Sequence, residues 1–389
     1  MRGLCILGST GSIGENTLDV VARHPDLFQV KTLTANTQIE KLAKQCIQFQ
    51  PEIAVVANAE LAKQLKSLLP HSSTQVLFGP EGLIEAVMQH QVDTVMSAIV
   101  GAAGLLPTIE AAKAGKRILL ANKEALVMSG QILMDVVAQS GAELLPIDSE
   151  HNAIYQCLPH SKDSNPLEID ELLLTASGGP FLHRPIETLM HVTPEEACAH
   201  PNWVMGRKIS VDSSTMMNKG LELIEAMWLF QMPQEKIQIV IHPQSVIHSL
   251  VRYVDGSLLA QLGEPDMRTP IAFGLGWPQR IASGVKPLDM MQLGQLNFMP
   301  ADVQRFPAIT LAREAARLRG TAPAIMNAAN EVAVESFLNR QITYPQIVQV
   351  VSQVLENIPS EPATSLELVL SVDQLARDKT KQYILEALQ

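Results

Sequence analysis

The chain has 389 residues, of which 47% are apolar and 18% are charged. This composition supplies enough apolar side chains for two or three domains with buried cores, so it excludes intrinsic disorder for most of the chain. The 29 basic and 40 acidic residues give a net charge of −11, which disfavours general binding to nucleic acid or to an anionic membrane.

The cysteines and the apolar runs indicate the compartment. The four cysteines show no CxxC spacing and are too few for a disulfide scaffold, so we expect reduced thiols. No apolar run reaches the roughly 18 residues that a membrane span needs. A glycine loop begins at Gly8, too early for a signal peptide. We therefore expect a cytoplasmic protein without a membrane partner.

Residues 1–150 alternate short apolar runs with segments of helical periodicity. Helical spacing is clearest over Asn16–Arg23 and Leu105–Ala114, and Gly115 stands where a helix C-cap belongs. Because the strands are almost wholly apolar, the pattern predicts a Rossmann-like, doubly wound parallel sheet with helices on both faces. The predicted strands are Leu4–Leu7, Phe28–Leu33, Ile53–Val56, Val76–Phe78, Thr94–Val100, Lys116–Ala121 and Glu143–Ile147.

The remaining residues differ in texture. Residues 291–310 carry prolines and read as a connector, and residues 311–389 have the composition and spacing of a helical domain, with helices predicted over Ala322–Leu338 and Tyr344–Asn357. Residues 151–290 predict an α+β domain with a mixed or antiparallel sheet, whose strands are Leu172–Ala176, Ile237–Ile241, Ser245–Tyr253 and Leu258–Leu262.

Three glycines follow the first predicted strand in the sequence GSTGSIG (8–14), which opens a helix. Glycines in this position allow a tight turn and bring the backbone close to a pyrophosphate resting on helix N–H groups. The spacing is GxxGxxG, so an ordinary strand–helix turn is the alternative. The location between the first strand and the first helix favours a dinucleotide site.

The end of the second strand bears on the choice of dinucleotide. NAD sites usually place an acidic residue there to bond the ribose hydroxyl. Here the strand is followed by Asn36, Thr37 and Gln38, and the first acid is Glu40. Neutral side chains would not repel a 2′-phosphate, which favours NADP. The turn has no Arg or Lys, so this preference depends on a missing repulsion.

Acidic residues suggest a metal site. Asp148 and Glu150 close the last predicted strand, and in extended backbone their side chains share one face. Glu222 lies one helical turn after Lys219. Carboxylate oxygens suit a hard divalent ion such as Mg²⁺ or Mn²⁺. The alternatives are a solvated strand end for the first pair and a capped helix entry for the second.

Further polar clusters suggest a small phosphorylated ligand. Ser213, Asn218 and Lys219 offer neutral donors and one cation, and Ser177 precedes two glycines after a predicted strand. The segment 198–208 reads as a mobile loop with His200 and Trp203. Its tryptophan could close over a ligand and exclude water, or anchor the loop to the core. By default, His242 and His248 are interpreted as structural.

The motifs together resemble the 1-deoxy-D-xylulose 5-phosphate reductoisomerase family, NADP-dependent enzymes of the non-mevalonate isoprenoid pathway. The resemblance runs in order across the first two predicted domains, and residues 200–226 are its most specific stretch. The stretches that carry it are GSTGSIG (8–14), LLANKE (119–124), DSEHNAI (148–154), SGGPF (177–181), HPNWVMGRKISVDSSTMMNKGLELIEA (200–226), HPQSVIHS (242–249) and LGEPDMRTPIA (262–272).

The resemblance implies a homodimer that converts a phosphosugar with NADPH and Mg²⁺ or Mn²⁺, with Co²⁺ as an alternative. The metal ligands would be Asp148, Glu150 and Glu222, which with Lys123 form the implied catalytic set. The implied substrate residues are Lys123, Ser149, Glu150, Ser177, His200, Trp203, Ser213, Asn218, Lys219 and Glu222, with Met205 in the closing loop. The implied cofactor residues are Thr10, Gly11, Ser12, Ile13, Asn36, Gln38, Asn122, Glu124 and Gly206.

Two positions depart from the pattern of the family. Some members carry Gly-Lys-Asn where this chain has Asn36-Thr37-Gln38, which leaves open the residue that holds the 2′-phosphate. Ala176 replaces the first glycine of the Gly-Ser-Gly-Gly loop, while Ser177 and the two following glycines are intact.

Two other functions compete with the reductoisomerase. A plain NADP-dependent dehydrogenase acting on another sugar phosphate would not need the acid at position 222. A dinucleotide-sensing regulator would have lost part of the catalytic set, whereas this chain keeps all three acids and Lys219.

Overall fold

The computed structural model describes residues 1–160, 168–203 and 205–387. Outside the described residues lie 161–167, within the predicted second domain, Val204, within the predicted loop 198–208, and the last two residues. The chain forms two compact units. The first consists of Met1–Ala125, Leu133–Asn152 and Asp266–Lys286, and the second of Leu126–Ile132, Ala153–Pro265 and Pro287–Gln389.

The strands and helices are numbered in chain order. The strands are β1 (Arg2–Leu7), β2 (Phe28–Thr34), β3 (Ile53–Val56), β4 (Gln75–Phe78), β5 (Thr94–Ser97), β6 (Arg117–Leu120), β7 (Glu143–Pro146), β8 (Ile169–Ala176), β9 (Ile237–Ile241), β10 (Ile247–Tyr253), β11 (Leu258–Leu262) and β12 (Met299–Pro300). The α-helices are α1 (Ser12–Ala22), α2 (Ile39–Phe49), α3 (Ala59–Leu68), α4 (Gly79–Met88), α5 (Leu105–Lys113), α6 (Lys123–Ser140), α7 (Ser149–Cys157), α8 (Pro194–Cys198), α9 (Arg207–Thr215), α10 (Met217–Leu229), α11 (Arg268–Gly276), α12 (Met290–Leu293), α13 (Ala308–Leu318), α14 (Ala322–Leu338), α15 (Tyr344–Asn357) and α16 (Leu366–Ala387).

The first unit contains a seven-stranded sheet in the order β4-β3-β2-β1-β5-β6-β7, and every neighbouring pair is parallel. Its strands are short and mostly buried, as the apolar runs predict. Chain order reverses where β1 pairs with both β2 and β5, which is the switch point where doubly wound folds bind ligands. The predicted doubly wound α/β fold is confirmed. Gly115 ends α5 with a left-handed φ of 67°.

Residues 266–286, which the sequence pattern places with the 151–290 segment, belong to the first unit. Arginines at the strand starts hold them there. Arg2 Nη1 donates to the Leu275 carbonyl at 3.0 Å, and Arg117 Nη1 donates to the Trp277 carbonyl at 2.9 Å. A return segment of this kind is invisible to periodicity, because its partners lie far away in sequence.

The second unit is built on a five-stranded sheet in the order β11-β10-β8-β9-β12. The β8–β9 pair is parallel and the other pairs are antiparallel, which confirms the predicted mixed sheet. Its core joins this sheet to the C-terminal helices, confirming the predicted helical region; large buried members include Leu174, Ile224, Phe306, Ile325, Phe337 and Ile347. Among the described residues, no helix combines the length and hydropathy that crossing a bilayer requires.

Candidate active site

The glycine loop lies between β1 and α1, as predicted. Gly8 has a φ of 81°, and its N–H donates to Thr34 Oγ1 at 2.8 Å. A Cβ on Gly14 would lie 2.4 Å from the Gly8 carbonyl oxygen, so only glycine lets α1 pack this closely on the loop. The first N–H groups of α1 have no intrahelical acceptor, and Gly11 and Ser12 are exposed. These features fit a dinucleotide pyrophosphate.

The turn between β2 and α2 presents neutral side chains. Asn36, Thr37 and Gln38 are all exposed, and α2 begins at Ile39. The carboxyl end of β2 is next to the glycine loop, because the Ser9 N–H donates to the Thr34 carbonyl at 2.8 Å. The predicted roles of Asn36 and Gln38 toward a cofactor stay predictions.

Asn122 and Lys123 begin α6 beyond the end of β6. Asn122 is buried and caps the helix by accepting from the Ala125 N–H at 2.7 Å, while its amide donates to the Gly101 carbonyl at 2.9 Å. Lys123 is 5% exposed, and its Nζ lies 2.5 Å from Asp148 Oδ2. A buried ammonium therefore neutralises the predicted metal-binding carboxylate.

The predicted strand-face geometry of Asp148 and Glu150 is wrong. The strand ends at Pro146 and α7 begins at Ser149, because the Asp148 carbonyl already accepts the first helical hydrogen bond, from the Asn152 N–H at 2.8 Å. Residues two apart in this first turn do not share a face. Both carboxyl groups still lie at the carboxyl end of β7, with Ser149 Oγ donating to Glu150 Oε2 at 2.7 Å.

In the second unit, Ser177 and His200 are in direct contact. Ser177 Oγ lies 3.0 Å from His200 Nε2, and Nδ1 of the same ring accepts the N–H groups of Asn202 at 3.2 Å and Trp203 at 3.0 Å. Because Nδ1 accepts two hydrogen bonds, Nε2 carries the proton and donates to Ser177. The hydroxyl proton of Ser177 is then available for a ligand oxygen.

Trp203 anchors the predicted loop in this structure. Its Nε1 donates to Ser245 Oγ at 3.1 Å, and its ring centroid lies 6.1 Å from that of His248. Nearby, His242 is fully buried and bonds the Asn297 carbonyl at 2.9 Å, which supports a structural role. Closure of Trp203 over a ligand stays a prediction.

Helices α9 and α10 bring together the predicted phosphate and metal residues of the second unit. A Cβ on Gly179 would lie 3.0 Å from the Ser213 carbonyl, so the Ser177 loop packs directly on the end of α9. Within α10, Asn218 and Lys219 both donate to Glu222. Glu222 is 1% exposed and Lys219 is 3% exposed, so these residues, one helical turn apart, form a buried ion pair.

A supporting layer beneath α9 escaped the sequence interpretation. Asp212 is 1% exposed, accepts from Asn330 Nδ2 at 2.7 Å and pairs with Lys208 at 2.9 Å. Tyr344 donates to the Ser214 carbonyl at 2.6 Å. Asp212 lies within the polar stretch 200–226, so the sequence offered a signal for it. Asn330 and Tyr344 lie on α14 and α15, outside any recognised motif.

The structure thus forms two groups of predicted site residues. One group surrounds the strand ends of the first unit: Thr10, Gly11, Ser12, Ile13, Asn36, Gln38, Asn122, Lys123, Glu124, Asp148, Ser149 and Glu150. The other belongs to the second unit: Ser177, His200, Trp203, Met205, Gly206, Ser213, Asn218, Lys219 and Glu222. That Asp148, Glu150 and Glu222 gather around one ion, and that Gly206 joins the cofactor residues, stay predictions.

The first unit combines a doubly wound sheet, a glycine loop and carboxyl groups at a strand end, and the second unit contributes Ser177 and Lys219. These features together define the class of dinucleotide-dependent oxidoreductases. Sequence profiles described as 1-deoxy-D-xylulose 5-phosphate reductoisomerase match residues 4–130, and profiles for its C-terminal domains match residues 144–230 and 262–379. The chain belongs to the 1-deoxy-D-xylulose 5-phosphate reductoisomerase family.

Individual relatives agree over the full length. The reductoisomerase of Ralstonia nicotianae is 58% identical over 386 residues, covering 99% of this chain and 98% of the relative. A crystal structure of a reductoisomerase with NADPH, fosmidomycin and magnesium is 46% identical and superposes with a TM-score of 0.96 over 100% of both chains. The enzyme of Zymomonas mobilis with NADPH is 46% identical, with a TM-score of 0.92 over 98% of this chain and 99% of that one.

Proposed function

We propose that the chain converts 1-deoxy-D-xylulose 5-phosphate to 2-C-methyl-D-erythritol 4-phosphate, using NADPH and a divalent cation. The observation that carries this proposal is the full-length family match, in a chain that retains every acid and lysine of the implied site. A relative of the same fold binds NADPH, fosmidomycin and magnesium together, which supports the same set of ligands here.

The donor set fits a hard divalent cation. Asp148, Glu150 and Glu222 offer only carboxylate oxygens, the ligands that Mg²⁺ and Mn²⁺ prefer. Lys123 lies against Asp148 and Lys219 against Glu222, so each of these two carboxylates has a positive charge beside it in this structure. When bound, the cation would act as a Lewis acid toward two adjacent substrate oxygens.

The second unit supplies the phosphate site. Ser177 presents a hydroxyl oriented by His200 and by the Gly179 N–H, which donates to Ser177 Oγ at 3.2 Å. Lys219 adds the cation, and Ser213 and Asn218 add neutral donors. Lys219 would balance the negative charge of a bound phosphate, because the neutral imidazole of His200 supplies a hydrogen bond but no charge.

The proposed chemistry is a rearrangement followed by a reduction. The carbon–carbon bond of the ketose breaks in a retro-aldol step and is remade in an aldol step, which gives an aldehyde. Lys123, held at 2.5 Å from Asp148, would donate to oxygens on which negative charge develops. NADPH would supply the hydride that reduces the aldehyde. The glycine loop, together with Asn122, Glu124 and Gly206, would hold this cofactor.

The direct test is NADPH consumption by the purified chain with 1-deoxy-D-xylulose 5-phosphate and Mn²⁺. We expect turnover that stops with a chelator and returns with metal. Glu222→Gln should lose most of the activity, whereas the exposed Glu335→Gln should keep it. No consumption of NADPH would reject the proposal, and full activity of Glu222→Gln would favour a plain dehydrogenase.

We also propose a homodimer. The supporting feature is β11, which lies at the edge of its sheet and exposes 47% of Leu258 and 48% of Leu259. An exposed apolar edge strand favours pairing with another chain. Light scattering after size exclusion should give the mass of two chains, and Leu259→Lys should lower it. A monomer at micromolar concentration would contradict the proposal.

A cytoplasmic location is proposed from the cysteines. All four are free thiols, and burial raises the pKa of Cys46 to about 12, which keeps that thiol protonated and unreactive. Mass spectrometry of protein taken from its own cells should find four reduced thiols. A disulfide in that sample would argue against this location.

A further inference from the structure

The first unit leaves one feature of the cofactor unexplained. A 2′-phosphate carries nearly two negative charges at neutral pH and needs a cation. The turn after β2, where doubly wound folds usually place the ribose contact, offers only the neutral side chains of Asn36, Thr37 and Gln38. The compensating charge must therefore come from another element that reaches the same place.

Lys41 lies in the first turn of α2, which begins directly after the neutral turn of residues 36–38. Its Nζ donates to the Thr10 carbonyl at 2.9 Å, so the ammonium lies against the glycine loop. One helical turn later, Gln45 holds the same loop through its side chain, which accepts from Ser9 Oγ at 2.7 Å and donates to the Ser9 carbonyl at 2.9 Å. One face of α2 therefore holds Lys41 against the glycine loop, three residues after Gln38, the last residue of the neutral turn.

The present partner of Lys41 is easily exchanged. Its Nζ lies 2.7 Å from Glu15 Oε1, and the two side chains are 37% and 50% exposed. Half-exposed ion pairs contribute little to stability, so replacing Glu15 by a phosphate oxygen costs little. An ammonium has three N–H donors, so Lys41 can keep Thr10 while it binds phosphate. The N-terminus of α2 adds a favourable dipole.

We propose that Lys41 holds the 2′-phosphate of NADPH in this chain and that Glu15 competes with the phosphate for its ammonium. Lys41 is then the residue that selects NADPH over NADH, in place of a cation in the turn itself. This inference rests on the proposed use of NADPH. It makes Lys41 a specificity residue one helical turn beyond the usual position.

Calorimetric titration of the full-length protein with two nucleotides tests the proposal without turnover. Adenosine 2′,5′-bisphosphate carries the 2′-phosphate and adenosine 5′-monophosphate lacks it. Lys41→Gln should lower the affinity for the bisphosphate by about tenfold or more and change the affinity for the monophosphate by less than about twofold. Glu15→Gln should tighten the bisphosphate, because it removes the competing carboxylate. Lys113→Gln removes another ion-paired lysine of this unit and should change neither affinity.

Three results would overturn the assignment. Unchanged bisphosphate binding by Lys41→Gln would show that another group holds the phosphate. An equal loss for both nucleotides would show that Lys41 only supports the glycine loop through Thr10. A wild-type protein that binds the monophosphate as tightly as the bisphosphate would overturn the proposed NADPH preference together with this inference. Turnover of the sugar phosphate is measured separately, so its failure is distinguishable from all three.

Discussion

His200 shows how one side chain can organise a loop. Its Nδ1 accepts two consecutive backbone N–H groups, and its Nε2 faces Ser177. A ring that carried protons on both nitrogens would place one of them against two donors, so this arrangement stabilises the neutral imidazole. The same residue thereby sets the path of the loop and the direction of the Ser177 hydroxyl.

Replacing His200 should therefore affect substrate binding more than cofactor binding. We expect His200→Gln to raise KM for 1-deoxy-D-xylulose 5-phosphate by about tenfold, because both loop contacts and the Ser177 contact weaken together. Steady-state kinetics at varied substrate and varied NADPH separate the two effects. The exposed His191→Gln is the matched control. An unchanged KM, or an imidazolium signal for His200 in NMR at neutral pH, would contradict this account.

At this scale the sequence was most informative where spacing alone fixes geometry. Lys219 and Glu222, three apart in the sequence, lie one helical turn apart as expected, and the structure shows that they form an ion pair. The strand-face argument for Asp148 and Glu150 failed, because the strand ends at Pro146 and the helix already begins at Ser149. Lys41 gave no signal, since its contact with Thr10 depends on the packing of α2 against a loop 31 residues away.

Among the elements, the return segment at 266–286 is held by ionic hydrogen bonds. Arg268 Nη2 donates to Asp266 Oδ2 at 2.6 Å, and Arg268 Nη1 donates to Asp19 Oδ2 at 3.0 Å on α1. The hydrogen bond from Arg268 lowers the pKa of Asp266 below its ordinary value of 3.8. The motif LGEPDMRTPIA therefore contains a structural contact that fastens α11 to the dinucleotide-binding unit.

Asp266→Asn should destabilise this attachment in a pH-dependent way. Since the folded pKa lies below the unfolded one, the carboxylate contributes stability above the unfolded pKa and loses it as pH falls through the folded value. We expect a loss of about 1 kcal/mol at pH 7 that fades in acid. Urea unfolding at several pH values measures it, with the exposed Asp26→Asn as control. A difference that persists unchanged in acid would contradict the assignment.

Helices and strands were predictable where local signals were strong. The bounds of α14 and α15 agree with the sequence prediction, because proline follows each helix start and apolar periodicity runs to each end. Strand β12 was missed inside the predicted connector. It has two residues, and only its pairing of Met299 with Ile241 makes it a strand. Such a short edge carries no periodicity of its own.

For the molecule as a whole, local pattern cannot show how distant segments combine. The first unit takes residues from three separate stretches of the chain, so the 1–150 boundary leaves out 266–286 and includes 126–132, which belong to the second unit. The proposed metal site depends on such distant segments, because Asp148 and Glu150 follow β7 whereas Glu222 lies within α10. The motifs supplied the residue types, and family resemblance supplied the expectation that they meet.

Calorimetric titration of the apo-protein with Mn²⁺ tests that expectation most directly. The account predicts one ion per chain, with affinity reduced at least about tenfold by Asp148→Asn and equally by Glu222→Gln, since a lost carboxylate ligand weakens a hard-cation site. Glu335→Gln should bind as the parent does. The contradicting result would be a Glu222→Gln variant that binds Mn²⁺ as tightly as the parent while Asp148→Asn binds it more weakly. The three carboxylates would then not share an ion.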